Sequence, residues 1–266
     1  MQDRHINRFK YFKEQELTTE KYVLPFIEEV KDINENVSVL EIGCGEGGNL
    51  MPFLKRGCRR IVGVDMSKSK IENGISFFEN IENSQNVEFI CDDIYNISPK
   101  EIGQFDLIIM RDVLEHIHNQ EKFMNFVKTF LKTDGKFFLG FPPWHNPFGG
   151  HQQMCESKLL SKLPYFHILP AFIYKLILKS FGESDSKIEG LMEIKETRIT
   201  IERFEKIIKK NKYNLDKKNL YFINPNYEIK FGIKPKISSK FISSLYYIRN
   251  FIITTSYYLI SNEKNT

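Results

Sequence analysis

Between residues 38 and 141, short apolar runs alternate with stretches in which apolar residues return every three or four positions. The runs at 38–42, 60–65, 87–91, 105–110 and 136–141 are rich in β-branched and aromatic residues and predict five strands. The intervening stretches 50–56, 67–80 and 119–132 have helical spacing; in the last, Phe123, Phe126, Val127, Phe130 and Leu131 share one face, and Asp134-Gly135 supplies a turn after it. Strands alternating with helices predict a parallel sheet covered on both faces. Ahead of the first strand, 17–30 predicts a helix folded over the sheet's edge. Beyond Phe141 the rhythm breaks: 142–217 holds tandem prolines, a Gly-Gly pair and the run Pro164-Tyr-Phe-His-Ile-Leu-Pro170, with helical periodicity at 171–181 and 201–211. Strand character returns at 219–224, helical character at 237–250, and 251–260 predicts a closing strand.

Composition narrows the class. The chain has 266 residues, 41% hydrophobic and 27% charged, enough to bury a sizeable core and too apolar to be mainly disordered. Its four cysteines (Cys44, Cys58, Cys91, Cys155) form no Cys-x-x-Cys pair and no zinc-type spacing, which points to a reduced, cytoplasmic protein with no metal site. Residues 1–13 are charged and aromatic, unlike a secretory signal. The apolar stretch 241–260 carries Arg249 and Asn250 at its middle, so no transmembrane segment is expected. The net charge of +4 divides unevenly, with −5 in residues 1–150 and +9 in 151–266. That basic part suits an anionic substrate, a nucleic acid or plain solvation, and solvated helix faces are the commonest use of such lysines.

The segment Val39-Leu-Glu-Ile-Gly-Cys-Gly-Glu-Gly-Gly-Asn-Leu50 runs from a strand through a glycine-rich turn into a helix. Glycines at 43, 45 and 48 allow positive φ and close approach of a ligand to the backbone, and the helix start offers free N–H donors. Asp65 ends the second strand, where a carboxylate can accept ribose hydroxyls. A further acidic station, Cys91-Asp-Asp-Ile94, follows the third strand and suits an adenine amino group better than a second nucleotide.

With the fourth strand leading into Arg111-Asp-Val-Leu-Glu-His-Ile117, the chain resembles the class I S-adenosylmethionine-dependent methyltransferases, in the broad group that includes the ubiquinone-pathway enzymes. The matching motifs are Glu41-x-Gly43-x-Gly45, Asp65, Asp92-Asp93-Ile94, the Asp106 strand with Val113-Leu-Glu-His116, and Leu131-Lys-x-Asp-Gly135. The resemblance implies a three-layer Rossmann-like α/β fold whose seven-stranded, mostly parallel sheet runs 3-2-1-4-5-7-6 with its last strand antiparallel. It implies S-adenosyl-L-methionine as cofactor and S-adenosyl-L-homocysteine as product. Glu41, Gly43, Cys44 and Gly45 would hold the methionine end, Asp65 and Met66 the ribose side, and Asp92 or Asp93 the adenine amino group. Ile94 would cover the adenine ring, and Arg111 would line the floor under the sulfonium. His116 is expected to orient the helix start, and Cys44 to act as a small filler.

One domain is expected: a helical cap (1–37), the cofactor core (38–141), a helical lid insert (142–217) and closing strands (218–266). The acceptor, a small molecule or biosynthetic intermediate, would bind above the carboxyl ends of the strands. The run Phe141-Pro-Pro-Trp-His-Asn-Pro-Phe-Gly-Gly-His-Gln152 leaves the fifth strand there, with His151 as the general-base candidate and Trp144, His145, Gln152 and Tyr11 as substrate contacts. Phe12, Tyr165 and His167 are further candidates for the pocket wall. Two other readings share the glycine loop. One is a non-catalytic adenosyl-binding module that contacts RNA or protein through its basic part; the other is an NAD-dependent oxidoreductase, which leaves the acidic station after the third strand unexplained. Nucleic acid is not the expected partner.

Overall fold

The computed structural model describes residues 7–263; the first six residues of the expected cap lie outside them. Eight strands form one sheet: β1 (Ser38–Ile42), β2 (Arg60–Asp65), β3 (Val87–Cys91), β4 (Phe105–Arg111), β5 (Leu131–Phe141), β6 (Tyr213–Ile223), β7 (Lys236–Ile237) and β8 (Thr255–Asn262), in the order β3-β2-β1-β4-β5-β8-β6-β7. β1 to β5 pair in parallel, whereas β8 runs antiparallel between β5 and β6. The fold is the expected Rossmann-like one, with a two-residue edge strand, β7, added to the seven.

Apart from Phe105 and Tyr213, which lie beyond register shifts in their strands, strand residues divide by parity between two cores, as a period of two requires. Val39, Ile61, Leu107, Ile109, Phe138 and Leu259 pack under the N-terminal helices and the helices Met51–Lys55 and Lys68–Phe78. Leu40, Val62, Ile108, Met110, Phe137 and Ile260 meet Gln120–Val127 and Ile201–Lys210 on the other face. The N-terminal helix starts earlier than expected, at Arg8, and runs through a π turn (Thr19–Val23) into Leu24–Glu28. Such a turn aims side chains that a regular helix would turn away; here it sets Thr19 inward, where its hydroxyl donates to Asn49 Oδ1 at 2.7 Å.

Several expected boundaries are corrected. β6 begins at Tyr213, so the insert ends by residue 212, not 217; the first half of β6 faces solvent and its Asp216-Lys217-Lys218 stretch, bulged between Leu215 and Lys217, carries no apolar alternation. The helix expected at 237–250 is interrupted and yields β7, a short helix (Lys240–Ser244) and a 3₁₀ turn (Ile248–Phe251), and the closing strand starts at Thr255. The helix expected to run to 132 stops at Val127, because Leu131 pairs with Phe105 as the start of β5. Between β5 and β6 the insert holds Ala171–Ser180, the unforeseen helix Asp185–Thr197 and Ile201–Lys210. It has a small core of its own, built on Leu160, Phe166, Tyr174, Leu178, Ile188 and Leu191.

Candidate active site

The glycine loop turns at the carboxyl end of β1. Positive φ occurs at Gly43, Gly45 and Gly47, not at Gly48. Gly48 is needed for a different reason: a Cβ there would meet the Phe12 carbonyl oxygen of the N-terminal helix. Asp65, at the end of β2, holds the loop from the side, its carboxylate accepting the Gly45 N–H at 2.9 Å and the Ser67 N–H at 2.8 Å.

Above this loop lies a cleft of 470 Å³ whose wall includes Gly43, Gly45, Asp65, Met66, Asp92, Asp93, Ile94 and Arg111. Ile42, Val64, Ile94, Val113, Ile117 and Phe123 give it an apolar side, and six carboxylates face three cations around the rest. Asp93 also caps the turn Ile94–Asn96, accepting the Tyr95 N–H at 3.0 Å, while Asp92 Oδ1 accepts from Asn96 Nδ2 at 2.7 Å. The acidic wall, the apolar slot and a buried oxygen of Glu46 (Oε2) that has no hydrogen-bond partner together suit a cationic adenosyl cofactor.

Glu41 and Cys44 stand behind the wall, not on it. Glu41 is buried under the loop and accepts from Asn49 Nδ2 at 2.6 Å; Cys44 packs against Gly63, and burial raises its thiol pKa well above the ordinary value, so it is a filler. Asp106, a motif residue, sits at the far end of β4, where Ser38 and Lys132 hydrogen-bond its carboxylate and, against the opposing effect of burial, hold it down to about 2.

A second cavity of 690 Å³ shares Arg8, Tyr11, Lys70, Asp112 and His116 with the first and extends to Pro142, Asn146, Phe148, His151, Asn226 and Tyr227. His151, in the left-handed region (φ 56), stands with Nε2 3.6 Å from Glu115 Oε1 and its ring 5.3 Å from that of His116. Glu115 is buried, and neither of its carboxylate oxygens has a hydrogen-bond partner. His116, expected to be a packing residue, lines both cavities, and burial lowers its pKa. Ligand atoms of Glu115, His116 and His151 lie within 4.8 Å of one another, a grouping of metal-ligand type that the expectation of no metal site missed.

Of the expected substrate contacts, Tyr11 and His151 reach this cavity; Trp144, His145 and Gln152 do not. The tight turn at Gly149-Gly150, whose backbone abuts Trp144 and the His167 side chain, folds these side chains inward. Gln152 Nε2 donates to the Pro147 carbonyl at 2.8 Å, Trp144 packs on His145 and His167, and His145 also contacts Phe251. His167 is fully buried against the Trp144 carbonyl, Phe12 is core, and Tyr165 is exposed outside both cavities. Sequence reasoning missed Arg8, Lys70, Asp112, Glu115 and the Asn224–Tyr227 corner. Asp112 and Glu115 could have been found from their spacing to His116; the corner carries no local signal.

A family model described as a methyltransferase domain matches residues 12–155. The mitochondrial ubiquinone biosynthesis O-methyltransferase of Dictyostelium discoideum is 29% identical over 114 residues, 40% of this chain and 35% of that protein. Its counterpart in Coxiella burnetii is 33% identical over 101 residues, 38% of this chain and 42% of that one. The match thus spans about two fifths of the length of these curated relatives. Among solved structures, magnesium protoporphyrin IX methyltransferase from Synechocystis PCC 6803, crystallised with S-adenosylhomocysteine, superposes with a TM-score of 0.55 over 94% of this chain and 84% of that one, at 13% identity; at that identity the likeness is one of fold. Because the family model covers more than half of the chain and the strands and loop that build the cleft, the chain belongs to the class I S-adenosylmethionine-dependent methyltransferases.

Proposed function

We propose that this chain transfers a methyl group from S-adenosylmethionine to a small-molecule acceptor bound in the second cavity. The observation that carries this reading is the shared wall: Arg8, Tyr11, Lys70, Asp112 and His116 belong to both cavities, so donor and acceptor sites adjoin with one layer of side chains between them. Methyl transfer is an in-line displacement, and a protein accelerates it mainly by holding the two reactants aligned and dry. The bound cofactor supplies an electrophilic methyl. Gly43 and Gly45 let it approach the backbone, Asp65 accepts from its ribose, Asp92 or Asp93 from its adenine, and Ile94 covers the ring. Arg111 supports the cleft floor through neighbouring side chains.

His151 acts as general base toward an acceptor hydroxyl, with the buried Glu115 carboxyl group 3.6 Å from its Nε2 to position the ring. The insert from residue 142 to β6 serves as a lid over this cavity, with Phe148, Met154 and Lys162 on its wall. The protein works in the cytoplasm, a reading supported by four unpaired cysteines of which Cys44, Cys58 and Cys155 are buried.

Titration calorimetry with S-adenosylmethionine, S-adenosylhomocysteine and NADH, on the parent chain and Asp65→Ala, tests the cofactor. The two adenosyl compounds are expected to bind, NADH not to, and the variant to lose tenfold or more, roughly the weight of a ribose clamp made of charge-assisted bonds. Binding of NADH alone, or of none of the three, would overturn the reading.

A further inference from the structure

Residues 157–182, the tip of the insert, contain four lysines and no aspartate or glutamate. The segment is closed at its base by the buried Glu183 carboxylate, which accepts the Glu156 and Ser157 N–H groups at 2.9 Å each. Its inner side is satisfied: Leu160, Phe166, Tyr174 and Leu178 fill the insert's own core. Its outer side is not polar, as a solvated helix would be. On the helix Ala171–Ser180, Phe172 is 74% exposed and Leu176 67%, with Lys175 and Lys179 beside them; Lys179 lies 3.9 Å from Asp185 at the rim. Leu159, Leu163 and Leu169 are exposed as well.

A second stretch, 229–262, likewise contains no acidic residue and five basic ones. Of these, Arg249 is buried in ion pairs with Glu202 and Glu205, while Lys234, Lys236 and Lys240 are exposed beside Ile237 and Phe241, the latter at 73%. The two stretches meet where the Tyr165 hydroxyl donates to the Phe251 carbonyl at 3.0 Å. Two acid-free segments, 47 residues apart at their near ends in sequence, therefore touch at Tyr165 and Phe251, and each exposes apolar side chains beside lysines.

We infer that this surface seats the protein on an anionic lipid bilayer. Lysines interspersed among exposed Phe and Leu are the composition of interfacial helices, in which the apolar groups enter the acyl boundary and the ammonium groups stay at the headgroups. Protein interfaces exclude lysine from their cores, and nucleic acid takes apolar side chains as single wedges between base steps rather than as a continuous exposed helix face. No helix among the described residues is long and apolar enough to cross a membrane, so the contact is peripheral. Lys162 and Phe231 belong both to these stretches and to the wall of the second cavity, and a chain seated this way turns that cavity's mouth toward the bilayer.

The test is flotation of the full chain with vesicles of phosphatidylcholine alone and of phosphatidylcholine with phosphatidylglycerol. Two double variants accompany it, Phe172→Ser with Leu176→Ser and Lys175→Glu with Lys179→Glu. None of the four residues lines either cavity, so S-adenosylhomocysteine binding reports intact folding independently of the lipid result. Binding is expected to need phosphatidylglycerol, to weaken with salt, to fall at least tenfold in the apolar variant, and to fall roughly fivefold for each lysine lost. Three results overturn the inference: no binding to anionic vesicles, binding of both variants equal to that of the parent chain, or a wild-type dimer that the apolar variant dissolves. Retention of a single-stranded oligonucleotide by a chain that ignores vesicles would make the surface a nucleic-acid face and would also overturn it.

Discussion

Arg111 reaches across the fold to Asn226, donating from Nη2 to its Oδ1 at 3.0 Å, while Nη1 donates to Asn49 Oδ1 at 2.9 Å and to Thr19 Oγ1 at 3.2 Å. The guanidinium at the end of β4 thus binds together the N-terminal helix, the glycine loop and the start of the helix Asn226–Phe231 that follows β6. Three hydrogen bonds to buried protein groups hold it as a latch in the floor of the cleft.

Replacing this latch leaves acceptors stranded. Arg111→Met keeps the apolar stem but strips the hydrogen bonds from Thr19, Asn49 and Asn226, all buried. A loss of about 3 kcal/mol in urea unfolding is expected, with weaker S-adenosylhomocysteine binding in the variant that remains folded. A stability change under about 0.5 kcal/mol, the range of an ordinary surface substitution, would show that the latch carries nothing.

His151 and Glu115 make a different kind of prediction. His151→Ala is expected to lower kcat by roughly 10²- to 10⁴-fold on a hydroxyl acceptor while leaving cofactor affinity alone, since His151 lines only the second cavity. Glu115→Gln, a positioning change, should lower kcat less and spare the acceptor KM. Because the base reading uses no cation, chelators should leave the rate intact. If chelation abolishes activity and a divalent ion restores it, the Glu115, His116 and His151 grouping holds a metal and the base assignment fails.

Gly43 is constrained twice. Its φ is 73, and a Cβ would run into the Val113 side chain beyond β4. Gly43→Ala is expected to cost about 2 kcal/mol or more from backbone strain alone and to displace Val113 from the cleft wall. Calorimetry with S-adenosylhomocysteine should register the displacement as lost affinity even where circular dichroism still reports a folded chain. Unchanged affinity would show that Val113 yields without consequence.

How much was legible follows from which interactions are local. β1 and β4 are covered on both faces, so their apolar runs read directly as strands, and Asp65 could be placed because it ends such a run next to the loop it supports. β6 has half its length facing water and pairs mainly with a strand that lies more than thirty residues later, so its start left no pattern to read. The same distinction governs the site. Trp144, His145 and Gln152 were chosen with His151 for their chemistry and their place after β5, but the Gly149-Gly150 turn decides which way they point, and of these four only His151 lines the cavity. Asn226 reaches Arg111 across 115 residues, a contact no spacing rule could announce.

Glu41 gives the chain a pH dependence of stability. Burial pushes its carboxyl up to about 8, although the Asn49 hydrogen bond and the Arg111 charge both pull it down from there. The folded chain therefore holds a proton that the unfolded chain, with an ordinary value of 4.5, releases as pH rises. The stability tied to that proton is whole below about pH 4.5 and is lost progressively as pH climbs to about 8. Glu41→Gln keeps an oxygen to accept from Asn49 and removes the titration. The parent is expected to lose about 2 to 4 kcal/mol relative to this variant between pH 5 and pH 8, measured by urea unfolding at three or more pH values. Parallel profiles would mean that Glu41 is ionised in the folded chain, with a cation beyond Arg111 beside its free oxygen.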